Sequence, residues 1–272
     1  MSLVVFTGAV GLVVAPGAPD LTVMLITLLC MAAGAGACGA LNMWYDADID
    51  ALMQRTAARP IPCGRVAPRE ALVEGTVLAV LSVPTLGVYV NWTAALLLAL
   101  TIGFYVFIYT IGLKRRTAQN IVIGGASGAF PPMIGWAAQT GTIEWGGVAL
   151  FLIIFLWTPP HFWALALGRS SDYAKAGVPM LPVVAGTEAT CRQILAYTAL
   201  LVPATYLPVA LGFEGPIYTA AATGLNAGLA WRALVLYRQP EEAPRIRAAY
   251  RLFGYSILYM FVLFVALLAG AQ

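Results

Sequence analysis

The stretch Leu21-Thr-Val-Met-Leu-Ile-Thr-Leu-Leu-Cys30-Met-Ala-Ala-Gly-Ala-Gly-Ala-Cys38-Gly-Ala-Leu41 carries no charge and is long enough to cross a bilayer as a helix. It runs directly into Asn42-Met-Trp-Tyr-Asp46-Ala-Asp48-Ile-Asp50, followed by Arg55 and Arg59-Pro60. If the helix continues to Asp50, then Asn42, Asp46 and Asp50 fall at i, i+4 and i+8 and share one face. Asp48 lies about 200° round the helix from Asp46 and is expected to face elsewhere. Three oxygen-bearing side chains in a row suit a hard divalent cation, and arginines beside them suit the phosphates such a cation bridges. An aspartate within a span costs about 2.5–3.5 kcal/mol at the helix centre and less near its end. Carboxylates aligned at this boundary therefore point to function. The blander reading is a helix-end network in which Arg55 and Arg59 neutralise Asp46 and Asp50.

The rest of the chain extends the apolar pattern. It is 61% hydrophobic and only 10% charged, and several runs of about 20 residues lack any charge. That composition implies an all-α, polytopic transmembrane helical bundle. The alternating ten-residue segments of a transmembrane barrel are absent. Nine spans are expected, near 3–15, 21–45, 70–90, 93–112, 119–138, 146–168, 193–212, 215–236 and 249–270. There is no Arg-rich transit peptide and no basic n-region, so residues 3–15 read as a short first span. Cys30, Cys38, Cys63 and Cys191 show no CxxC and no metal-ligand spacing, and read as small buried or loop thiols.

All fifteen Lys and Arg fall in or beside four segments: Arg55 to Arg69, Lys114 to Arg116, Arg169 to Arg192, and Arg232 to Arg251. The alternate loops contain no basic residue. Nine spans put the basic segments on one side, which the positive-inside rule makes cytoplasmic, with the N-terminus on that side. The expected location is a bacterial inner membrane, multi-pass, with the polar loops cytoplasmic. Residues 1–272 read as one integral-membrane domain. A loose repeat of spans 1–4 and 5–8 is suggested by two long connections, 46–69 and 169–192. Each begins near an Asp and runs into a proline-punctuated stretch.

Asp172 in the second of those connections would be an ordinary solvated acid taken alone. Its case rests on mirroring the first cluster. Between the two lies Tyr109-Thr-Ile-Gly-Leu-Lys114-Arg115-Arg116-Thr-Ala-Gln-Asn120. A diphosphate held by metal on one side needs cations on the other, and Lys114, Arg55 and Arg59 are the candidates. His161 follows Thr158-Pro159-Pro160 within a span. An intramembrane histidine is either a hydrogen-bonded packing residue or a contact to a polar substrate. The prolines should kink or widen that helix. No Walker A loop, GxGxxG, HExxH or Ser-His-Asp arrangement is present. What fits is ionisation of an allylic diphosphate in a dry cavity, with divalent metal and Lys/Arg stabilising the leaving group. Phe104, Tyr105, Phe107, Phe130, Trp136, Phe155, Trp157, Phe162 and Trp163 could line such a chamber, though most are expected to pack or face lipid.

Asn42-x3-Asp46-x3-Asp50 with Arg55-Thr56 and Arg59-Pro60 resembles the first motif of the UbiA-type intramembrane prenyltransferases. Three further stretches are similar to the haem-farnesylating branch of that family: Tyr109 to Gly125, Thr158-Pro-Pro-His161-Phe-Trp163, and Asp172-Tyr173-x2-Ala-Gly177-x-Pro179-Met-Leu-Pro182. The matches spread from about residue 34 to 190, and the last third is plain hydrophobic helix.

The resemblance implies a helical bundle round a central cavity, farnesyl diphosphate as donor and the vinyl group of haem B as acceptor, giving haem O. It implies Mg²⁺ held by Asn42, Asp46 and Asp50, with Asp172 serving a second metal. It implies Arg55, Arg59, Tyr109, Lys114, Asn120 and Lys175 at the diphosphate, and His161 on the haem side. Asp46, Asp50 and Lys114 would be the catalytic residues. Membrane lipid and a haem A synthase or oxidase assembly partner are the other expected associations, and no nucleic acid. The sequence departs from the family in two places. Only Asp172 stands where many members have two acids, and the basic segment before the first span is missing. The runner-up is a relative with an aromatic quinone-precursor acceptor, against which Pro179 to Pro182 and His161 argue. A secondary transporter would need ionisable groups deep in several spans, whereas here charge gathers at one face.

Overall fold

In a computed structural model, which describes residues 2–270, all regular structure among the described residues is helical. The order is α1 (Ser2–Val14), α2 (Leu21–Tyr45), α3 (Ala47–Leu52), α4 (Pro68–Tyr89) and α5 (Trp92–Gly103), which continues as a π-helix over Phe104–Leu113. Then come α6 (Asn120–Thr140), α7 (Trp145–Leu167), α8 (Ser170–Lys175), α9 (Leu181–Val184), α10 (Gly186–Ala204), α11 (Leu207–Ala210), α12 (Pro216–Arg238) and α13 (Glu242–Gly270). The main packing pairs are α2 with α4, α6 with α7, α1 with α6 and α12 with α13.

Seven helical units are long and apolar enough to cross a membrane: α2, α4, α5 with its π continuation, α6, α7, α10 with α11, and α13. Two of the nine expected spans fall outside that set. The first, α1, has 13 residues. It lies tightly along α6: a Cβ at Gly11 would sit 2.1 Å from the Pro132 carbonyl oxygen, so only glycine permits the approach. The second, α12, is diluted by polar residues that serve a buried network. Asn226 donates to Thr205 Oγ1 at 2.8 Å and accepts from the Tyr259 hydroxyl at 2.7 Å. Tyr218 donates to the Thr205 carbonyl at 2.7 Å. These bonds tie α10, α12 and α13 together and satisfy one another's buried polar groups.

Two apolar cores result. One joins α7, α10, α12 and α13, and the other joins α2, α5 and the middle of α6. A cavity of about 430 Å³ opens among α1, α2, the π-helix, α6, α7 and α13. At the opposite end Asn91 caps α5 by accepting the Ala94 N–H at 2.9 Å and donates to the Ala137 and Ala138 carbonyls of α6.

Candidate active site

The polar row at the end of α2 survives a break in the helix. Regular helix is interrupted at Asp46, yet Asp46 N–H donates to Asn42 O at 2.9 Å and Asp50 N–H to Asp46 O at 2.8 Å. The i→i+4 register therefore holds across the α2–α3 junction, and the three side chains stay on one face. All three are buried, Asp46 completely and Asp50 to within 1%. Buried carboxylates must be paired, and these are. Asn42 Nδ2 donates to Asp46 Oδ2 at 2.7 Å. Arg59 pairs with Asp50 at 2.7 Å and reaches Asn42 Oδ1 at 3.5 Å. Asp46 is paired with Lys114, and with Arg115 at 3.2 Å.

The pairing departs in one respect from the blander reading of the sequence. Arg59 does neutralise Asp50, but Asp46 takes its cations from Lys114 and Arg115 rather than from Arg55. The reason is the π-helix: Lys114 N–H bonds to Tyr109 O at 2.8 Å, an i→i+5 step that shifts Lys114 onto the face of Tyr109. The same segment turns Tyr105, Tyr109 and Lys114 to the cavity wall. Tyr109 lies flat against α6 because residue 124 is glycine: a Cβ there would be 2.1 Å from Tyr109 Cδ2.

Arg115, which sequence position alone marks as topology, is a member of the network. Its guanidinium bonds Asp48 at 2.6 and 2.7 Å, Asp46 at 3.2 Å and the Tyr45 carbonyl at 3.0 Å, and lies over the Tyr45 ring. Asp48 does face outward, 64% exposed, but Arg115 couples it to Asp46. The hydrogen bond from Arg115 holds the Asp48 carboxyl below the usual range, and Asp48 in turn raises the Arg115 pKa.

Asp172 is buried on α8, with Arg169 Nη1 3.8 Å from its Oδ2, and that oxygen has no hydrogen-bond partner. Its neighbour Tyr173 lines the cavity. His161 lines it from α7, which continues helically through Pro159 and Pro160. The imidazole is sandwiched between Trp157 (centroids 4.2 Å) and Phe253 (4.6 Å). Its Nδ1 is 2.7 Å from Ser256 Oγ, whose proton goes to the Phe253 carbonyl at 2.6 Å. Ser256 therefore accepts, Nδ1 carries a hydrogen, and in the neutral ring Nε2 carries the lone pair.

Six of the expected site residues line the cavity: Asn42, Arg55, Arg59, Tyr109, Lys114 and His161. Asp46 and Asp50 stand behind that wall, capped by their cations. Asn120 is fully buried at the start of α6, donating to the Thr117 carbonyl at 2.6 Å, and is off the wall. Lys175 is exposed and also off the wall. Of the nine aromatics, Tyr105, Trp157 and Phe162 line the cavity. Phe107 points outward, Trp136 bonds Glu144, and Phe130 packs on Phe151. Sequence reasoning missed Arg115, Thr110, which accepts from Asn42 at 3.3 Å, and Ser256, in a helix that reads as plain apolar sequence.

Among the described residues no three His, Cys, Asp or Glu side chains gather closely enough to hold a metal by themselves. A divalent ion here would draw on Asn42, Asp46 and Asp50 and complete its shell with phosphate oxygens and water, as hard cations do. The oxygen donors fit such an ion, and the orphaned Asp172 Oδ2 is a separate buried oxygen without a hydrogen-bond partner.

A buried row of carboxylates with matched cations thus stands behind the wall of a partly aromatic chamber inside a helical membrane bundle. The chain belongs to the UbiA prenyltransferase family, whose pattern matches residues 4–270. It is 62% identical over 268 residues to the protoheme IX farnesyltransferase of Parvibaculum lavamentivorans, covering 98% of this chain and 84% of the relative. It is 59% identical to that of Methylobacterium nodulans, covering 99% and 85%. The fold is shared with solved structures at low identity. A digeranylgeranylglyceryl phosphate synthase superposes with a TM-score of 0.82 at 18% identity, covering 99% of this chain and 92% of that one. An Archaeoglobus fulgidus UbiA homologue bound to DMAPP and Mg²⁺ superposes at 0.68 with 16% identity, covering 95% and 94%.

Proposed function

We propose that this prenyltransferase moves the farnesyl group of farnesyl diphosphate to the vinyl group of haem B, giving haem O and releasing diphosphate. What carries the reading is the near-full-length identity to relatives bearing the protoheme IX farnesyltransferase name, on a chain whose polar row backs a buried cavity. The gathering of basic residues at the polar end supports a cytoplasmic orientation for it in a bacterial inner membrane.

Asn42, Asp46 and Asp50 would hold Mg²⁺, with Asp172 on a second. Bound metal would neutralise the charge that builds on the departing diphosphate. The chain's own cations have a second role. Lys114 and Arg59 sit on carboxylates, and both also line the cavity. When diphosphate and metal arrive, Lys114 and Arg59 exchange carboxylate for phosphate oxygens, and Arg55 adds a third positive charge. Tyr109 orients the diphosphate from the π-helix. Breaking the allylic C–O bond sends its electron pair to the diphosphate. Trp157, Phe162 and Tyr105 keep water from the allylic cation until the vinyl electrons form the new carbon–carbon bond; the cation this leaves on the vinyl carbon next to the porphyrin ring is then captured by water, which loses a proton to solvent and becomes the hydroxyl of haem O. His161, whose Nε2 carries the lone pair, would contact the haem through its iron.

Purified protein incubated with haem B, farnesyl diphosphate and Mg²⁺ should yield a haem of higher mass and longer retention. If haem stays unmodified while an aromatic quinone precursor is prenylated, the acceptor assignment is wrong.

A further inference from the structure

A second cavity, of about 450 Å³, lies between α12 and α13 at the basic end of the bundle. Its walls carry Arg232, Arg247 and Arg251, with Trp231 and Val235 beside them, and no acidic side chain. Among the described residues none of the three arginines lies within salt-bridge distance of a carboxylate. The nearest acids in sequence, Glu241 and Glu242, are exposed in the turn and form no part of the wall. Arg247 and Arg251 stand one turn apart on α13, where like charges repel.

Topology marking alone does not account for this arrangement. Arg245, from the same segment, has a structural role, since it donates to the Gln239 and Pro240 carbonyls and ends α12. Arg232 is held in place, its guanidinium 4.1 Å over the Tyr255 ring. Arg247 and Arg251 converge on the same hollow. Trp231 beside them is 64% exposed, the habit of an aromatic residue at the headgroup level of a bilayer. Three uncompensated guanidiniums call for an anion, and the apolar wall beside them calls for a ligand with a greasy end. The Tyr250 hydroxyl, one residue before Arg251, donates to the Gly168 carbonyl at 3.0 Å, so this hollow shares its end of the molecule with the α7–α8 corner that carries Asp172.

We propose that this cavity binds one anionic glycerophospholipid, its phosphate held by Arg232, Arg247 and Arg251 and its glycerol and upper acyl chains lying against Trp231 and Val235. A zwitterionic lipid leaves the positive charge unbalanced and binds less well. Free phosphate satisfies the guanidiniums but forgoes the apolar wall. The site is independent of the prenyl-transfer cavity, so the two assignments stand or fall separately.

The test is a native mass spectrometric titration of the detergent-solubilised protein with phosphatidylglycerol, phosphatidylcholine or inorganic phosphate. Phosphatidylglycerol should form a one-to-one adduct that phosphatidylcholine does not match and millimolar phosphate does not displace. The double variant Arg247→Gln/Arg251→Gln should bind it roughly thirtyfold more weakly, and Arg232→Gln roughly fivefold. Arg238→Gln, an exposed arginine off the cavity wall, should bind as the unaltered protein does. Equal binding of phosphatidylcholine, displacement by phosphate, or full binding by the double variant would each overturn the proposal. The selectivity arm needs no variant and stands even if a substituted chain fails to insert.

Discussion

The two acidic ends of the cavity have opposite electrostatics. At the α2–α3 junction every carboxylate is matched: Asp50 by Arg59, Asp46 by Lys114 and Arg115, Asp48 by Arg115. On α8 a single carboxylate, Asp172, is buried with one oxygen unbonded and Arg169 at arm's length. The first end is assembled before any ligand arrives and holds its shape by internal ion pairs. The second is left incomplete, and a buried orphan oxygen is costly until something bonds it. On the proposed function, the site is rigid on one side and unsatisfied on the other, and binding of metal and diphosphate would exchange partners at the first end and supply one at the second.

The widest separation between the two ends should appear on removing a charge from the matched one. Asp50→Asn and Asp46→Asn each keep the shape of the side chain and should lower turnover roughly 10²–10³-fold, with helix content and membrane insertion unchanged. Turnover near that of the unaltered protein in either would dissolve the distinction. Asp172→Asn should cost less, roughly 10–100-fold, and should raise the Mg²⁺ concentration needed for half-maximal rate. Because no hydrogen bond is lost at Oδ2, its thermal midpoint should not fall. An unchanged Mg²⁺ dependence would make Asp172 a structural residue. His161→Ala touches neither acidic end. It should raise the KM for haem roughly tenfold and leave that for farnesyl diphosphate alone. A shift in both would merge the haem and diphosphate subsites.

The smallest effect belongs to Asp48. As an exposed pair with Arg115 it contributes at most about 1 kcal/mol. Its pKa is depressed in the fold, chiefly by the Arg115 hydrogen bond. That contribution is therefore complete above its ordinary value of 3.8 and disappears as pH falls through the lower folded value. Thermal midpoints of the unaltered protein and Asp48→Asn should differ slightly at pH 7 and converge only in acid below that point.

Much of the first acidic end is legible in the sequence, because helical periodicity carries Asn42, Asp46 and Asp50 onto one face even through the break at Asp46. The partners of those residues are not. Lys114 and Arg115 are 68 and 69 positions from Asp46, and only the bundle brings them there. Arg115 and its neighbours look like ordinary membrane-edge charge. Ser256 is hidden for another reason: one serine in a long apolar helix has no pattern, and its meaning depends on His161 across the interface. The α12 helix is harder to read as a span than its length suggests, because Asn226 serves a buried network instead of lipid.

The π-helix from Phe104 to Leu113 closes its turns one residue later than the α-helix that leads into it. Its geometry makes the aim of Lys114 a matter of counting. If this segment wound as an ordinary helix at the same length, everything after it would swing by about 100° relative to Tyr109. No side chain named in the site would be altered, yet Lys114 and Arg115 would leave Asp46, which would then lie buried without a cation. The distance in sequence between Tyr109 and Lys114 is thus as much a part of the site as either residue.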